Sequence, residues 1–106
     1  TFSFSREDAE NKFLPLYNEI GLLEDNPFEV LDAKGVGQLM KMTVDSGRQT
    51  RPDIKIGICG EQGGHPESIR FFHYIKMDYV SCAAPRIPIA RLAVAQAKLL
   101  EESYHI

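Results

Sequence analysis

A thiol and a carboxylate stand two residues apart in a glycine-rich stretch, Gly57-Ile58-Cys59-Gly60-Glu61-Gln62-Gly63-Gly64. An ordinary thiol titrates near ~8.5 and is mostly protonated at neutral pH. Cys59 could therefore donate a proton as a general acid, or attack as a nucleophile if its environment favoured the thiolate. It could equally be a small hydrophobe at the end of a strand. Glu61 could orient the loop through hydrogen bonds, or serve as a capping or ion-paired carboxylate. The glycines would let backbone N–H groups approach an anion. The spacing is not that of a Walker loop, and it reads G-x-x-G-x-x-G rather than the dinucleotide G-x-G-x-x-G. Cys82 is a weaker candidate. His65 precedes Pro66 and reads as a helix cap, and His73 lies among aromatics as a packed or surface histidine. Arg86 could reach a bound anion or be solvated; Arg6, followed by two acids, reads on its own as a surface residue. Cys59, His65, His73 and Cys82 contain neither CxxC nor HxxxH, so a structural zinc site is not expected.

The elements that would position these residues follow from periodicity. Ser5 and Asp8 resemble a capping box, and Ala9, Phe13, Leu16, Tyr17 and Ile20 follow at helical spacing. Pro15 should break that helix, because it lacks an N–H and clashes with the preceding turn. Asn26-Pro27 predicts a short helical turn to Leu31. Val36, Leu39, Met40, Thr43 and Val44 predict a helix over 34–47 that stops at Gly47. Residues 54–59 read as a strand, 66–76 as a helix with Ile69, Phe72 and Ile75 inward, and 79–82 as a second strand. A last helix is expected over 86–103, with Ile89, Leu92, Ala93, Gln96, Leu99 and Leu100 on its inner stripe. This alternation implies βαβ units and a parallel sheet, and the cysteine loop lies at the carboxyl end of a strand, where such folds keep their sites. Two short strands make a poor sheet alone, so the pattern looks like a slice of a larger α/β structure.

The whole chain supports the same view. With 106 residues it is one small domain, too short for a complete (β/α)8 barrel, which takes roughly 200 or more. Hydrophobic residues at 43% and charged residues at 25% are ordinary for a globular protein. A net charge of −3 gives no electrostatic footprint for nucleic acid or an anionic membrane. No apolar run approaches the roughly 18 residues of a membrane span, and the opening TFSFSRED has no signal-peptide pattern. Two free thiols fit a reducing cytoplasm. The chain opens with Thr rather than Met, and the expectation is a piece of something longer.

Three stretches go beyond generic pattern: Gly35-Val36-Gly37-Gln38-Leu39, Lys55 through Gly64, and Asp78-Tyr79-Val80-Ser81-Cys82 continuing to Pro85-Arg86-Ile87-Pro88-Ile89-Ala90-Arg91-Leu92. Together they resemble the extreme C-terminal part of the pyruvate, phosphate dikinase family of phosphoenolpyruvate-utilising enzymes, over roughly residues 1–98. The chain departs from the usual pattern at Gln62, His65 and Ala83-Ala84.

The resemblance implies the C-terminal slice of a (β/α)8 TIM barrel, with two short parallel strands and about five helical segments. Residues 1–106 would be a fragment of the phosphoenolpyruvate/pyruvate-binding domain, with 54–59 the seventh strand and 79–82 the eighth. It implies that Cys59 protonates the enolpyruvate methylene carbon, or takes a proton from pyruvate in reverse. Gly60 and Glu61 would shape the substrate site, and Arg6 would contact the phosphoryl group. Magnesium is implied as cofactor, its ligands upstream of Thr1. The implied partners are the rest of the barrel and a phosphohistidine domain of the same enzyme, itself a homodimer. The fragment alone is expected to be inactive. Phosphoenolpyruvate synthase, enzyme I of the sugar phosphotransferase system, and a non-catalytic self-associating α/β domain are the alternatives.

Overall fold

A computed structural model describes residues 3–100. Thr1 and Phe2 of the opening motif, and 101–103 of the expected last helix, lie outside the described residues. The chain begins with helix α1 (Arg6–Lys12), capped by Ser5, whose hydroxyl accepts from the Asp8 N–H at 3.4 Å. Glu7 and Asp8 lie in the first turn and Lys12 in the last, each at the end its charge favours. The expected break falls at Phe13, which leaves Pro15 in the first turn of α2 (Leu14–Glu19), where a missing N–H costs nothing.

Residues 26–31 form the expected single turn, capped by Asn26. The Asn26 side chain accepts from the Phe28 N–H at 3.0 Å, and its carbonyl accepts from Glu29 and Val30. Helix α3 (Val36–Thr50) runs through Gly47, three residues past its expected end. A glycine weakens a helix by only about 1 kcal/mol, and the packing of α3 overrides that.

Strand β1 (Gly57–Cys59) and strand β2 (Tyr79–Ser81) pair in parallel, with Gly57 opposite Tyr79, Ile58 opposite Val80 and Cys59 opposite Ser81. Helix α4 (Pro66–Tyr74) connects them, and α5 (Ile87–Leu99) follows a 3-10 turn at Ala84–Arg86. Side chains alternate across a strand, so the two faces of this sheet differ. Ile58 and Val80 enter a core built from Val44 of α3, Ile69, Phe71 and Phe72 of α4, Ile75, and Ala93 of α5. Cys59, Tyr79 and Ser81 lie on the other face and are exposed. The Tyr79 ring occupies the space that a side chain at Gly57 would need, with ring carbons 2.3 Å from an ideal Cβ position.

β1 starts three residues later than its β-branched sequence predicts, and Asp78 explains why. Its N–H donates to the Ile56 carbonyl at 2.7 Å, while its carboxylate accepts from the Ile56 N–H at 2.8 Å. A side chain thus takes the place of a ladder partner. Arg48 of α3 closes the same carboxylate at 2.8 Å, tying helix to sheet. The Ile56 N–H, then the Arg48 guanidinium, hold the Asp78 carboxyl below its usual range against the opposing effect of desolvation. A depressed folded value stabilises the fold above the unfolded carboxyl range near ~3.9, and that stability is lost as pH falls through the folded value. In urea titrations of the chain, the unfolding midpoint should therefore fall on acidification below about pH 4. Asp78→Asn should start lower at neutral pH and show a flatter acid decline. An acid decline of equal steepness in both proteins would refute this role for Asp78.

Candidate active site at the carboxyl ends of the two strands

The ends of β1 and β2 open into a cleft of about 580 Å³. Cys59, Gly60 and Glu61 line it from β1 and the turn that follows, Ser81 from the end of β2, Cys82 from the residue after it, and Arg86 from the 3-10 turn. Glu29 and Val30 form the far wall. The cysteine and the carboxylate singled out by type and spacing are thus in one cavity, and Cys59 is exposed to it.

The glycine-rich stretch forms a short 3-10 helix, Glu61–Gly64, pinned by the Gly63 N–H donating to the Gly60 carbonyl at 3.0 Å. His65 then caps α4: its Nδ1 accepts from the Ser68 N–H at 3.3 Å and faces the Ser68 hydroxyl at 3.1 Å. That hydroxyl accepts from the Leu31 N–H at 3.1 Å, joining the cap to the segment before α3. His65 is therefore engaged in holding the loop, as its position before Pro66 implies.

Arg6 comes from 55 residues away in sequence to the same place. Its Nη2 donates to Glu61 Oε2 at 2.6 Å, its Nε is paired with Glu10, and Glu29 stands 4.0 Å off. The guanidinium also lies over the Phe28 ring, 5.9 Å from its centre. The Arg6 hydrogen bond holds the Glu61 carboxyl below its usual range, and the charge of Arg86 adds to this. Glu61 is thus an anion at neutral pH, placed to steer Arg6. A guanidinium suits two anionic oxygens at once, and in this structure Glu61 and Glu10 take up that capacity.

Two lining residues with polar side chains, Glu29 and Ser81, do not stand out as candidates in the sequence. Glu29 lies in the 26–31 turn, whose sequence carries a cap signal and no chemical motif. Ser81 is visible only once the strand register is known. Arg86 was weighed as an anion contact, and the structure places it in the cleft. Among the described residues, no three His, Cys, Asp or Glu side chains converge on a metal site. The described residues do not fit a magnesium centre. No helix among the described residues is long and apolar enough to cross a membrane.

The fold is thus an α/β layer with a thiol and an arginine–carboxylate pair at its strand ends. Residues 1–99 match the family described as PEP-utilising enzyme, PEP-binding domain, and the chain belongs to that family. It is 58% identical over 99 residues to a pyruvate, phosphate dikinase of Entamoeba histolytica, covering 93% of this chain and 11% of the relative. It is 57% identical over 96 residues to the chloroplastic pyruvate, phosphate dikinases of Mesembryanthemum crystallinum and Arabidopsis thaliana, covering 91% of this chain and 10% of each. The chain thus spans about a tenth of the length of the curated relatives it matches.

Proposed function

We propose that the chain is the C-terminal part of the phosphoenolpyruvate/pyruvate-binding domain of a pyruvate, phosphate dikinase. In this reading β1 and β2 are the last two strands of a (β/α)8 barrel, and the exposed face bearing Cys59, Tyr79 and Ser81 points into it. The full enzyme interconverts ATP, pyruvate and phosphate with AMP, phosphoenolpyruvate and diphosphate through a phosphohistidine carried by another domain. The magnesium that this reading implies would have its ligands outside this chain.

The observation that supports this reading best is the position of Cys59. It lies at the carboxyl end of a parallel strand, exposed to the cleft, beside an arginine–carboxylate pair. When phosphoenolpyruvate gives its phosphoryl group to histidine, the enolate of pyruvate remains. The Cys59 S–H bond breaks, its proton forms the new C–H bond at C3, and the thiolate is left. In the other direction the thiolate removes a methyl proton and the enolate oxygen takes the phosphoryl group. Arg6 would bind the phosphoryl oxygens as Glu61 releases it, and Gly60 would let substrate approach the loop.

The test is turnover by the full-length enzyme. It should form phosphoenolpyruvate from ATP and pyruvate only when inorganic phosphate is present, whereas the 106-residue chain alone should form none. Phosphoenolpyruvate formation without phosphate would indicate the related synthase chemistry, in which water takes the place of phosphate. Formation by the 106-residue chain alone would contradict the division of labour between domains.

A further inference from the structure

We infer that Ser81 is a positioning residue for Cys59, its hydroxyl donating to the sulfur when the thiol has given up its proton. The inference rests on the proton-transfer role proposed for Cys59 and extends it to a residue with no assigned part in the chemistry. Cys59 and Ser81 are direct partners in the parallel ladder. Their neighbours Ile58 and Val80 pack into the core, so the pleat turns both Cys59 and Ser81 to the opposite face, where both border the cleft. Adjacent strands lie about 4.8 Å apart, so rotation about the Ser81 χ1 brings an O–H donor to the thiol. Cys82 does not compete for this place. Two residues on from Val80, it borders the cavity between α4 and α5 as well as the cleft.

The charged and titratable groups around the sulfur give Ser81 its function. Glu61 and Glu29 face the cleft as carboxylates and oppose a second negative charge there. Arg6 offsets Glu61 through its 2.6 Å contact, Arg86 supplies a cation on the same wall, and His65 is held by Ser68. A neutral donor on the neighbouring strand stabilises a thiolate without adding an anion and without taking the proton itself.

The experiment compares Ser81→Ala and Ser81→Thr in the full-length enzyme, following exchange of pyruvate methyl protons with solvent as a function of pH. Ser81→Ala should slow exchange at neutral pH by about tenfold, since it removes a hydrogen bond to a charged group. The rise of rate with pH should move upward by about one unit, with the KM for pyruvate within about twofold of wild type. Ser81→Thr, which keeps the hydroxyl, should restore both rate and profile. A wild-type rate and profile in Ser81→Ala would overturn the inference. So would equal slowing in both variants with an unmoved profile, which would mark a purely structural role. The Cys59→Ala enzyme separates the two levels. Exchange that persists there removes the Cys59 assignment and Ser81 with it. Exchange lost there but normal in Ser81→Ala removes only Ser81.

Discussion

Cys59→Ala in the full-length enzyme is expected to lose exchange of pyruvate methyl protons by at least ~100-fold while histidine phosphorylation from ATP stays at the wild-type rate. A positioned acid or base contributes on the order of 10²–10⁴ to a proton transfer. The substitution removes one exposed sulfur atom at the end of β1 and touches neither the core nor a hydrogen bond within the sheet. Exposed substitutions of this kind stay within about 0.5 kcal/mol of wild-type stability, so lost activity would report chemistry rather than unfolding. In the proposed reading the phosphohistidine forms in a different domain and needs neither the thiol nor the cleft, which gives the experiment an internal control. Isotope exchange by NMR and phosphate transfer from labelled ATP measure the two steps separately. Methyl exchange at the wild-type rate in this variant would remove Cys59 from the reaction, whatever its position in the cleft.

How far the sequence carried can be judged from particular residues. Ile58 and Val80 are β-branched residues at the centres of short strands, and the sheet forms around them as their type implies. Helix α4 has one apolar stripe, and its inward residues Ile69, Phe72 and the following Ile75 are buried as that stripe predicts, with Phe71 in addition. Helix α5 is different. Its run Ile87-Pro88-Ile89-Ala90-Arg91-Leu92-Ala93-Val94 is apolar on most sides, so periodicity does not single out a face. Of the expected stripe Ile89, Leu92, Ala93, Gln96, Leu99 and Leu100, only Ala93 is buried; Ile89, Leu92, Leu99 and Leu100 are exposed, Leu92 at 61% and Leu99 at 85%. The buried face is Ala93 and Ala97, with Ala90 beside them, because small side chains let α5 lie close against the aromatic residues of α4. The same trade holds in α3, where Gly37 and Val44 face inward and Val36 and Leu39 face outward.

The site divides along similar lines. Cys59 and Glu61 were legible because reactive residues next to glycines at a strand end are a local pattern. Arg6 was not legible from its surroundings. Its partner is 55 residues away, and only the resemblance to a known family singled it out. Ser81 depended on strand register, which two three-residue strands do not specify in their sequence.

Gly63→Ala is expected to damage both fold and site, and it shows which glycines of the loop are required. Gly63 is buried, and a Cβ built there would lie 2.4 Å from the Ser81 carbonyl oxygen and 3.0 Å from Val80 Cγ1. The closest obstacle is backbone in β2, so no rotamer change relieves it. The loop and the strand must separate. Overpacking of this kind costs about 1–3 kcal/mol. Separation also breaks the geometry that the Gly63 N–H to Gly60 carbonyl bond maintains, and Glu61 moves with it, away from Arg6. A displacement near ~1 Å at a reacting centre can cost about 100-fold, so methyl-proton exchange in the full-length enzyme should fall by that order. Gly60→Ala is the matched control. Its backbone, at φ 161° and ψ 173°, is extended and open to any residue, and the nearest obstacle to a Cβ is Gln62 Oε1 at 2.6 Å, the far end of a flexible side chain. Gln62 can turn away, so Gly60→Ala should keep stability within about 0.5 kcal/mol of wild type. Any loss of activity in that variant would then measure how closely substrate approaches the loop. Equal stability of the Gly63→Ala and wild-type proteins in urea would mean that the contact between loop and β2 yields without cost, and the rigid placement of Cys59 beside Ser81 would fail with it.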